Sequence, residues 1–149
     1  MATTHFIWDE LSDNVLMETD EFGAATAEYT QEPGQFGELV SQHRDGATSQ
    51  YHFDGLGSTR QLTNENADVT DESTFSAFGE EVASSGATVN PFGFQGSVGY
   101  HANPTTEDLY VRARHYRPAI ARWLSRDPMP HALVVTGRIV IALLTELDA

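Results

Sequence analysis

Apolar and polar residues alternate over short stretches through the first hundred residues of the chain, and each stretch ends in residues that favour turns. Alternation with a period of two is typical of β-strands that bury one face. The turn-forming stretches DEFG at 20–23, DGLGST at 54–59 and NENA at 64–67 supply glycine, or Asp and Asn side chains that bond nearby backbone amides. The pattern predicts a mostly β fold of short strands joined by tight turns.

Two parts of the chain repeat this arrangement. HFIWDE at 5–10 and QYHFDG at 50–55 both lead from aromatic residues into an aspartate, and the two aspartates are 45 residues apart. A second pair of matching stretches follows, DEFGAAT at 20–26 and NENADVT at 64–70. Loose repetition of this kind predicts stacked antiparallel β-hairpins rather than two independent domains.

Towards the C-terminus, LYVRARHY at 109–116 alternates in the same way and predicts a single strand. The residues expected on one side of it are Leu109, Val111, Ala113 and His115. Those expected on the other side, which are aromatic or basic, are Tyr110, Arg112, Arg114 and Tyr116. His115 would then pack among apolar residues rather than serve as a catalytic base.

The tail from residue 131 onwards allows two interpretations. Ile139, Leu143 and Leu147 recur at every fourth position, which is a helical spacing. A helix would then begin near Thr136. The β-branched LVVT run before it favours a strand instead. We therefore expect either a short C-terminal helix or a strand.

Composition and charge reduce the number of possible functions. The chain has 149 residues, of which 40% are hydrophobic and 10% aromatic, enough for one modest core. Residues 1–108 carry nineteen acidic residues against two arginines, a charge of −17, whereas residues 109–149 carry six arginines against three acidic residues, a charge of +3. Nucleic-acid binding needs clustered positive charge, so we expect none from a body this acidic.

Several classes of site are not expected. The chain has no cysteine, its six histidines lack metal-ligand spacing, and its acidic turns lack the regular spacing of a Ca²⁺ loop, so we expect neither a metal nor a cofactor. Ser58 and Thr59 are interpreted as hydrogen-bonded turn residues rather than as nucleophiles. The N-terminus lacks the features of a secretory signal, and the apolar tail is short and interrupted by Arg138, so no membrane span is predicted.

Three motifs resemble those of a known family. YHFDGLGSTRQLTNENADV at 51–69 is similar to the signature YxYDxLGSTRxLTDENGxV of Rhs (YD-repeat) proteins. NPFGFQG at 90–96 resembles their NPFRFTG element. LYVRARHYRPAIARWLSRDP at 109–128 resembles LYYxRARYYDPxxGRFLSxDP, the end of the Rhs repeat-associated core domain. The resemblance covers roughly residues 50–128, with weaker YD-repeat character in residues 1–49.

The resemblance implies a strip of β-hairpins that winds into a hollow shell, with the core domain closing one end. It also implies a variable C-terminal segment, often a toxin, which an aspartyl autoprotease in the core releases in many members. Such proteins are typically secreted or associated with the cell envelope, and some contact carbohydrates. We therefore expect YD-repeat-like hairpins over residues 1–49, the Rhs repeat-associated core over 50–130 and a variable tail over 131–149.

The chain departs from the family pattern where the catalytic residues would lie. Arg117 stands in place of the Asp of the YDP element, and Ala121 in place of the turn glycine. Pro130 stands where the first DPxG element has its glycine, and the second DPxG element is absent. The resemblance therefore implies the core architecture without an intact processing site.

Asp127 is the remaining candidate for a catalytic aspartate. Aspartyl proteolysis needs two carboxylates that share a proton. Arg117 beside Asp127 would instead favour the ionised carboxylate, since a guanidinium does not act as an acid or base near neutral pH. Another carboxylate, such as Asp108 or Glu107, would have to replace the missing partner, so we expect Asp127 to be a turn residue or an ion-pair partner.

Three functions remain open on these grounds. The first is a structural, non-catalytic Rhs core fragment that caps or extends a shell and associates, through open strand edges, with other YD-repeat chains or with itself. The second is an aspartyl autoprotease that uses Asp127. The third is a carbohydrate-binding surface module, which needs an exposed row of aromatic rings where we expect mainly core packing.

Overall fold

The computed structural model describes residues 3–12, 14–34, 37–127, 134–135 and 138–139. Within these residues the regular elements are β-strands and two short 3₁₀ turns, Gly96–Val98 and Pro118–Ile120, and there is no α-helix. The prediction of a mostly β fold is confirmed.

Eight consecutive strands form a large sheet. They are β1 (His5–Trp8), β2 (Val15–Thr19), β3 (Ala25–Gln31), β4 (Leu39–Arg44), β5 (Ala47–Phe53), β6 (Thr59–Thr63), β7 (Val69–Phe75) and β8 (Glu81–Ser85). Each pairs antiparallel with its neighbours in sequence, so the sheet order is also the chain order. The sheet is therefore a stack of hairpins, as the repeat predicts.

A smaller sheet of four strands follows the large sheet in the chain. It consists of β9 (His101–Ala102), β10 (Leu109–Val111), β11 (Arg114–Arg117) and β12 (Arg122–Trp123), in the order β12–β11–β10–β9. We call residues 101–127, which contain this sheet, the closing segment. In the tail, β13 (Val134–Val135) pairs antiparallel with β14 (Arg138–Ile139). The described tail residues thus form strands, while Thr136 and the helical positions beyond Ile139 lie outside the described residues.

LYVRARHY forms a hairpin rather than the single strand predicted. Val111 lies opposite Arg114, so Arg112 and Ala113 make a two-residue turn in which Arg112 has φ 52°. Residues opposite each other in a hairpin share a side, so the predicted sidedness is wrong after the turn. The turn was missed because it contains none of the Gly, Asn or Asp residues typical of such hairpins.

His115 accordingly does not pack in an apolar core. It is exposed, and its ring lies 5.4 Å from that of Tyr110, its partner across the hairpin. The predicted packed position is wrong because the chain turns before reaching this residue.

One turn design recurs at four hairpins of the large sheet, with the sequences DEFGA, DGLGS, NENAD and SAFGE. The first residue's N–H bonds the fifth residue's C=O, and the fourth residue's N–H bonds the first residue's C=O. The first residue's side-chain oxygen accepts the fifth residue's N–H in each turn; these first residues are Asp20, Asp54, Asn64 and Ser76. The fourth residue has positive φ in each; these are Gly23, Gly57, Ala67 and Gly79. The predicted turn chemistry is confirmed.

Ala67 is the only fourth residue of these turns that is not glycine, and its φ is 64°. A Cβ atom is unfavourable in the left-handed region, so Ala67→Gly is expected to raise the free energy of unfolding by about 0.5–1 kcal/mol. Urea denaturation measures this. The reverse change, Gly23→Ala, meets no neighbour within 4 Å and should lower stability by a similar amount. An unchanged or less stable Ala67→Gly variant would contradict the turn assignment.

The core lies on one face of the large sheet. It consists of residues that are 1–7% exposed: Val15, Ala27, Tyr29, Leu39, Tyr51, Leu62 and Phe92. All but Phe92 come from strands, where they occupy the inward positions of the alternating pattern. The opposite face carries exposed polar residues such as Glu28, Gln50 and His52. The sheet thus buries one face only.

The large sheet continues across the expected boundary between residues 49 and 50. That boundary falls within β5, which pairs with β4 on one side and with β6 on the other. The division into YD-repeat hairpins, core and tail remains a prediction from the resemblance.

Candidate functional site

The segment that contains NPFGFQG lies across the buried face of the large sheet. Three sheet side chains donate hydrogen bonds to it: Gln42 to the Val89 carbonyl (3.0 Å), Tyr51 to Asn90 Oδ1 (3.1 Å) and Thr59 to the Phe92 carbonyl (2.5 Å). The Gln95 N–H donates to Ser58 Oγ at 3.2 Å. Both hydroxyls of the DGLGST turn therefore serve as structural hydrogen-bonding groups, as predicted.

Phe92 is the apolar centre of this contact. It is 1% exposed, and its ring meets those of Tyr29 and His101 edge to face, with centroids 5.0 and 5.3 Å apart. Tyr29 belongs to β3 and His101 to β9, so one side chain joins the large sheet to the closing segment.

A buried polar cluster lies beside Phe92. Glu18 accepts hydrogen bonds from the Tyr29 hydroxyl (2.6 Å) and from Arg44 Nη2 (2.9 Å), and Arg44 Nη2 also donates to the Tyr29 oxygen (3.0 Å). His101 Nε2 lies 3.8 Å from Glu18 Oε1, beyond hydrogen-bond distance. The Glu18 side chain is only 8% exposed. The Glu18 carboxylate on β2 therefore contacts one side chain each on β3, β4 and β9.

Electrostatics favours the ionised form of this carboxylate. Burial by itself would raise the pKa of Glu18, but interactions with His101, Tyr29 and Arg44 outweigh it and lower the pKa from 4.5 to about 2. Burial and the neighbouring carboxylate raise the pKa of Tyr29 well above its usual range. Glu18 is thus a charged acceptor near neutral pH, and Tyr29 is a neutral donor.

A cleft of about 750 Å³ opens above the cluster. Glu18, Arg44 and His101 line it, as do aromatic rings on its walls: Phe6, Trp8, Tyr110 and His115. Trp8 and Tyr110 meet edge to face at 5.9 Å, and Phe6 meets His101 at 4.9 Å. Strand β1 supplies one aromatic wall of this cleft and the β10–β11 hairpin supplies the other.

Two of the candidate catalytic carboxylates, Asp108 and Asp127, pair with different arginines. Arg117, which was expected beside Asp127, instead binds Asp108 through two hydrogen bonds of 2.6 and 2.8 Å. Asp127 pairs with Arg114 at 3.2 Å, and the Arg114 guanidinium lies 3.9 Å from the centre of the Trp123 ring. The expected Arg117 pairing is therefore wrong, because the β10–β11 turn places Arg114 and Arg117 on opposite sides of their strand.

These pairings do not favour shared-proton chemistry. The Arg117 guanidinium holds the pKa of Asp108 below its usual range, so this carboxylate is ionised near neutral pH. Glu107 has φ 58° and donates its N–H to the Asn103 carbonyl within a turn. Pro130 lies outside the described residues. The described geometry is that of ion pairs that hold the closing segment together.

The part of the chain that the structure describes contains neither a metal-binding cluster nor a membrane-spanning helix. No group of three or more His, Asp or Glu side chains is placed to hold a metal ion there. Those same residues include no helix long and apolar enough to cross a membrane.

The sequence interpretation did not identify the Glu18 cluster. Its members are up to 83 residues apart in the chain and share no local spacing. One signal was present in VLMET, where Glu18 occupies an inward position of an otherwise mixed strand. A charge at such a position requires a buried partner.

Comparison with known proteins agrees with the sequence motifs. Over 130 residues, 85% of this chain, the sequence is 29% identical to the tRNA3(Ser)-specific nuclease WapA of Bacillus spizizenii. The crystal structure of TcdB2-TccC3 superposes with a TM-score of 0.58 over 84% of this chain, at 16% identity. No model of a known protein family matches the chain. The resemblance to Rhs (YD-repeat) proteins of the polymorphic-toxin kind, and to their shell-type fold, is confirmed.

The matched regions are small parts of much longer chains. The chain corresponds to 5% of WapA and to 7% of the TcdB2-TccC3 chain. This chain is thus similar to a small part of each relative.

Proposed function

We propose that this chain is a structural, non-catalytic segment of an Rhs-type shell, which caps or extends a longer strip of hairpins. The observation that carries the proposal is the pair of open edges: among the residues that the structure describes, β1 and β8 each pair with one neighbouring strand, and every residue of both strands is exposed. An isolated sheet with such edges pairs readily with further strands. The partners are other YD-repeat chains or copies of this chain. The resemblance supports a secreted or envelope location.

Charging both edges is expected to reduce strand pairing. Ile7 on β1 and Val82 on β8 are 47% and 62% exposed, so Ile7→Glu with Val82→Glu adds charge without disturbing the core. The variant should have a lower mass by light scattering than the unmodified chain. The matched control, Leu16→Glu with Val40→Glu, adds the same charge on the inner strands β2 and β4, where these residues are 43% and 42% exposed. Equal masses for both variants would contradict edge pairing.

A non-catalytic chain is expected to stay intact. Asp127 serves in this proposal as the ion-pair partner of Arg114, a role that their 3.2 Å contact supports. Freshly folded protein should retain its full mass of 16.4 kDa at mildly acidic and at neutral pH. A shortened product that disappears in Asp127→Asn would establish the autoprotease instead.

The aromatic cleft favours a second candidate function, the binding of a neutral saccharide. Phe6, Trp8 and Tyr110 present rings that can stack on the apolar faces of sugars, and Glu18 and Arg44 neutralise each other at the base. A glycan array tests this, with Trp8→Ala as the comparison. Signals at background for the unmodified chain would exclude this function.

A further inference from the structure

Three of the four recurring turns, and the related turn that begins at Asp9, place apolar side chains at their tips. The third residue lies at the tip of each, and its side chain takes no part in the hydrogen bonds that define the turn. Four of these five residues are large and apolar, with exposed fractions of 92%, 86%, 69% and 62%: Leu11, Phe22, Leu56 and Phe78. The fifth is Asn66. Since asparagine is accepted at this position, turn formation does not explain the Leu and Phe residues.

The topology places three of these tips in one row. In an antiparallel meander, alternate turns lie at the same end of the sheet. Leu11, Leu56 and Phe78 belong to the β1–β2, β5–β6 and β7–β8 turns, which share one end. Phe22, in the β2–β3 turn, lies at the other end. We call Leu11, Leu56 and Phe78 the tip row.

Acidic residues surround the tip row. Asp9 and Glu10 precede Leu11, Asp54 lies two residues before Leu56, and Glu80 lies two residues after Phe78. A surface that covers the row must therefore offer apolar contacts together with positive charge.

The closing segment has such a surface. Its apolar residues Ile120, Trp123 and Leu124 are 54%, 38% and 43% exposed, and Arg122 and Arg126 among them are exposed as well. We call residues 120–126 the basic patch. The same segment already contacts one tip turn within the chain, where the Tyr116 hydroxyl donates to the Phe78 carbonyl at 2.9 Å. The Phe78 side chain nevertheless stays 62% exposed.

We infer that the tip row binds the basic patch of a second copy of this chain. The contact joins two different surfaces, and such a heterologous interface builds rows or rings of copies. It is distinct from edge pairing, since it uses turn ends rather than strand edges. It goes beyond the proposed function, because copies of the chain then associate through their turn ends as well as through their strand edges.

The test uses the charged-edge variant, Ile7→Glu with Val82→Glu, so that edge pairing does not contribute. Sedimentation velocity should show a mass that rises with concentration and falls towards 16.4 kDa when salt is raised to about 0.5 M. Adding Leu11→Asn, Leu56→Asn and Phe78→Asn should weaken association at least tenfold, with an unchanged circular dichroism spectrum. Adding Phe22→Asn, the matched change at the other end, should leave association unchanged.

The outcomes separate this inference from the proposed function. If the charged-edge variant is monomeric at every concentration and salt level, or if the three asparagines have no more effect than Phe22→Asn, the tip-row contact is overturned. If the tip-row substitutions weaken association of the unmodified chain and the charged-edge substitutions do not, the tip-row contact is supported and edge pairing is contradicted. Arg122→Glu with Arg126→Glu tests the same contact from the basic patch, since this variant should weaken association as strongly as the tip-row changes.

Discussion

Phe92→Ala is expected to lower the free energy of unfolding by about 3–5 kcal/mol, the usual cost of removing a buried aromatic ring. Phe92 is 1% exposed and contacts Tyr29 and His101 edge to face. The substitution removes this apolar area and leaves a cavity between the large sheet and the closing segment. Urea denaturation followed by circular dichroism gives the free energy.

Phe22→Ala is the control for this change. Phe22 is 86% exposed at a turn tip, so its removal should change stability by less than about 0.5 kcal/mol. Similar losses in both variants would show that the buried Phe92 ring does not hold the closing segment on the large sheet.

Glu18→Gln is expected to lower the free energy of unfolding by about 2–4 kcal/mol at neutral pH, because it leaves the largely buried Arg44 guanidinium without its counter-charge. Glu18 and Arg44 are in contact at 2.9 Å, with side chains 8% and 15% exposed. The variant keeps the size of the side chain, so the loss reports charge rather than packing. Glu28→Gln, an exposed change on the neighbouring strand β3, should have little effect.

The cost of Glu18→Gln should depend on pH in a defined direction. The pKa of Glu18 falls from 4.5 to about 2 on folding, so its charge stabilises the fold fully above about pH 4.5. That contribution is lost as the pH falls from 4.5 towards 2. The stabilities of the unmodified chain and the variant should therefore converge over this range. A difference in the free energy of unfolding that stays constant down to pH 2 would show that the stabilisation does not come from the Glu18 charge.

Local chemistry explains which parts of the fold could be predicted. The DEFG, DGLGST and NENA turns were predictable because their hydrogen bonds join residues at most four apart. Alternation in the strands between them indicated the buried face, which Tyr29, Tyr51 and Leu62 occupy. Each of these signals lies within one hairpin.

Longer-range features were not predictable in the same way. The turn at Arg112 has no typical turn residue, so the sequence predicts one strand over LYVRARHY and a packed position for His115. The pairing of Arg117 with Asp108 depends on that hairpin. Glu18 and His101 meet only because the closing segment returns to β2, and no spacing in the sequence records this contact.

Amide hydrogen exchange at two protein concentrations shows whether β1 and β8 pair with further strands. Raising the concentration should slow exchange in His5–Trp8 and Glu81–Ser85, as the mass rises above 16.4 kDa, while β4 and β5 in the middle of the sheet exchange at an unchanged rate. A stable 16.4 kDa monomer whose edge strands exchange equally fast at both concentrations would contradict the account.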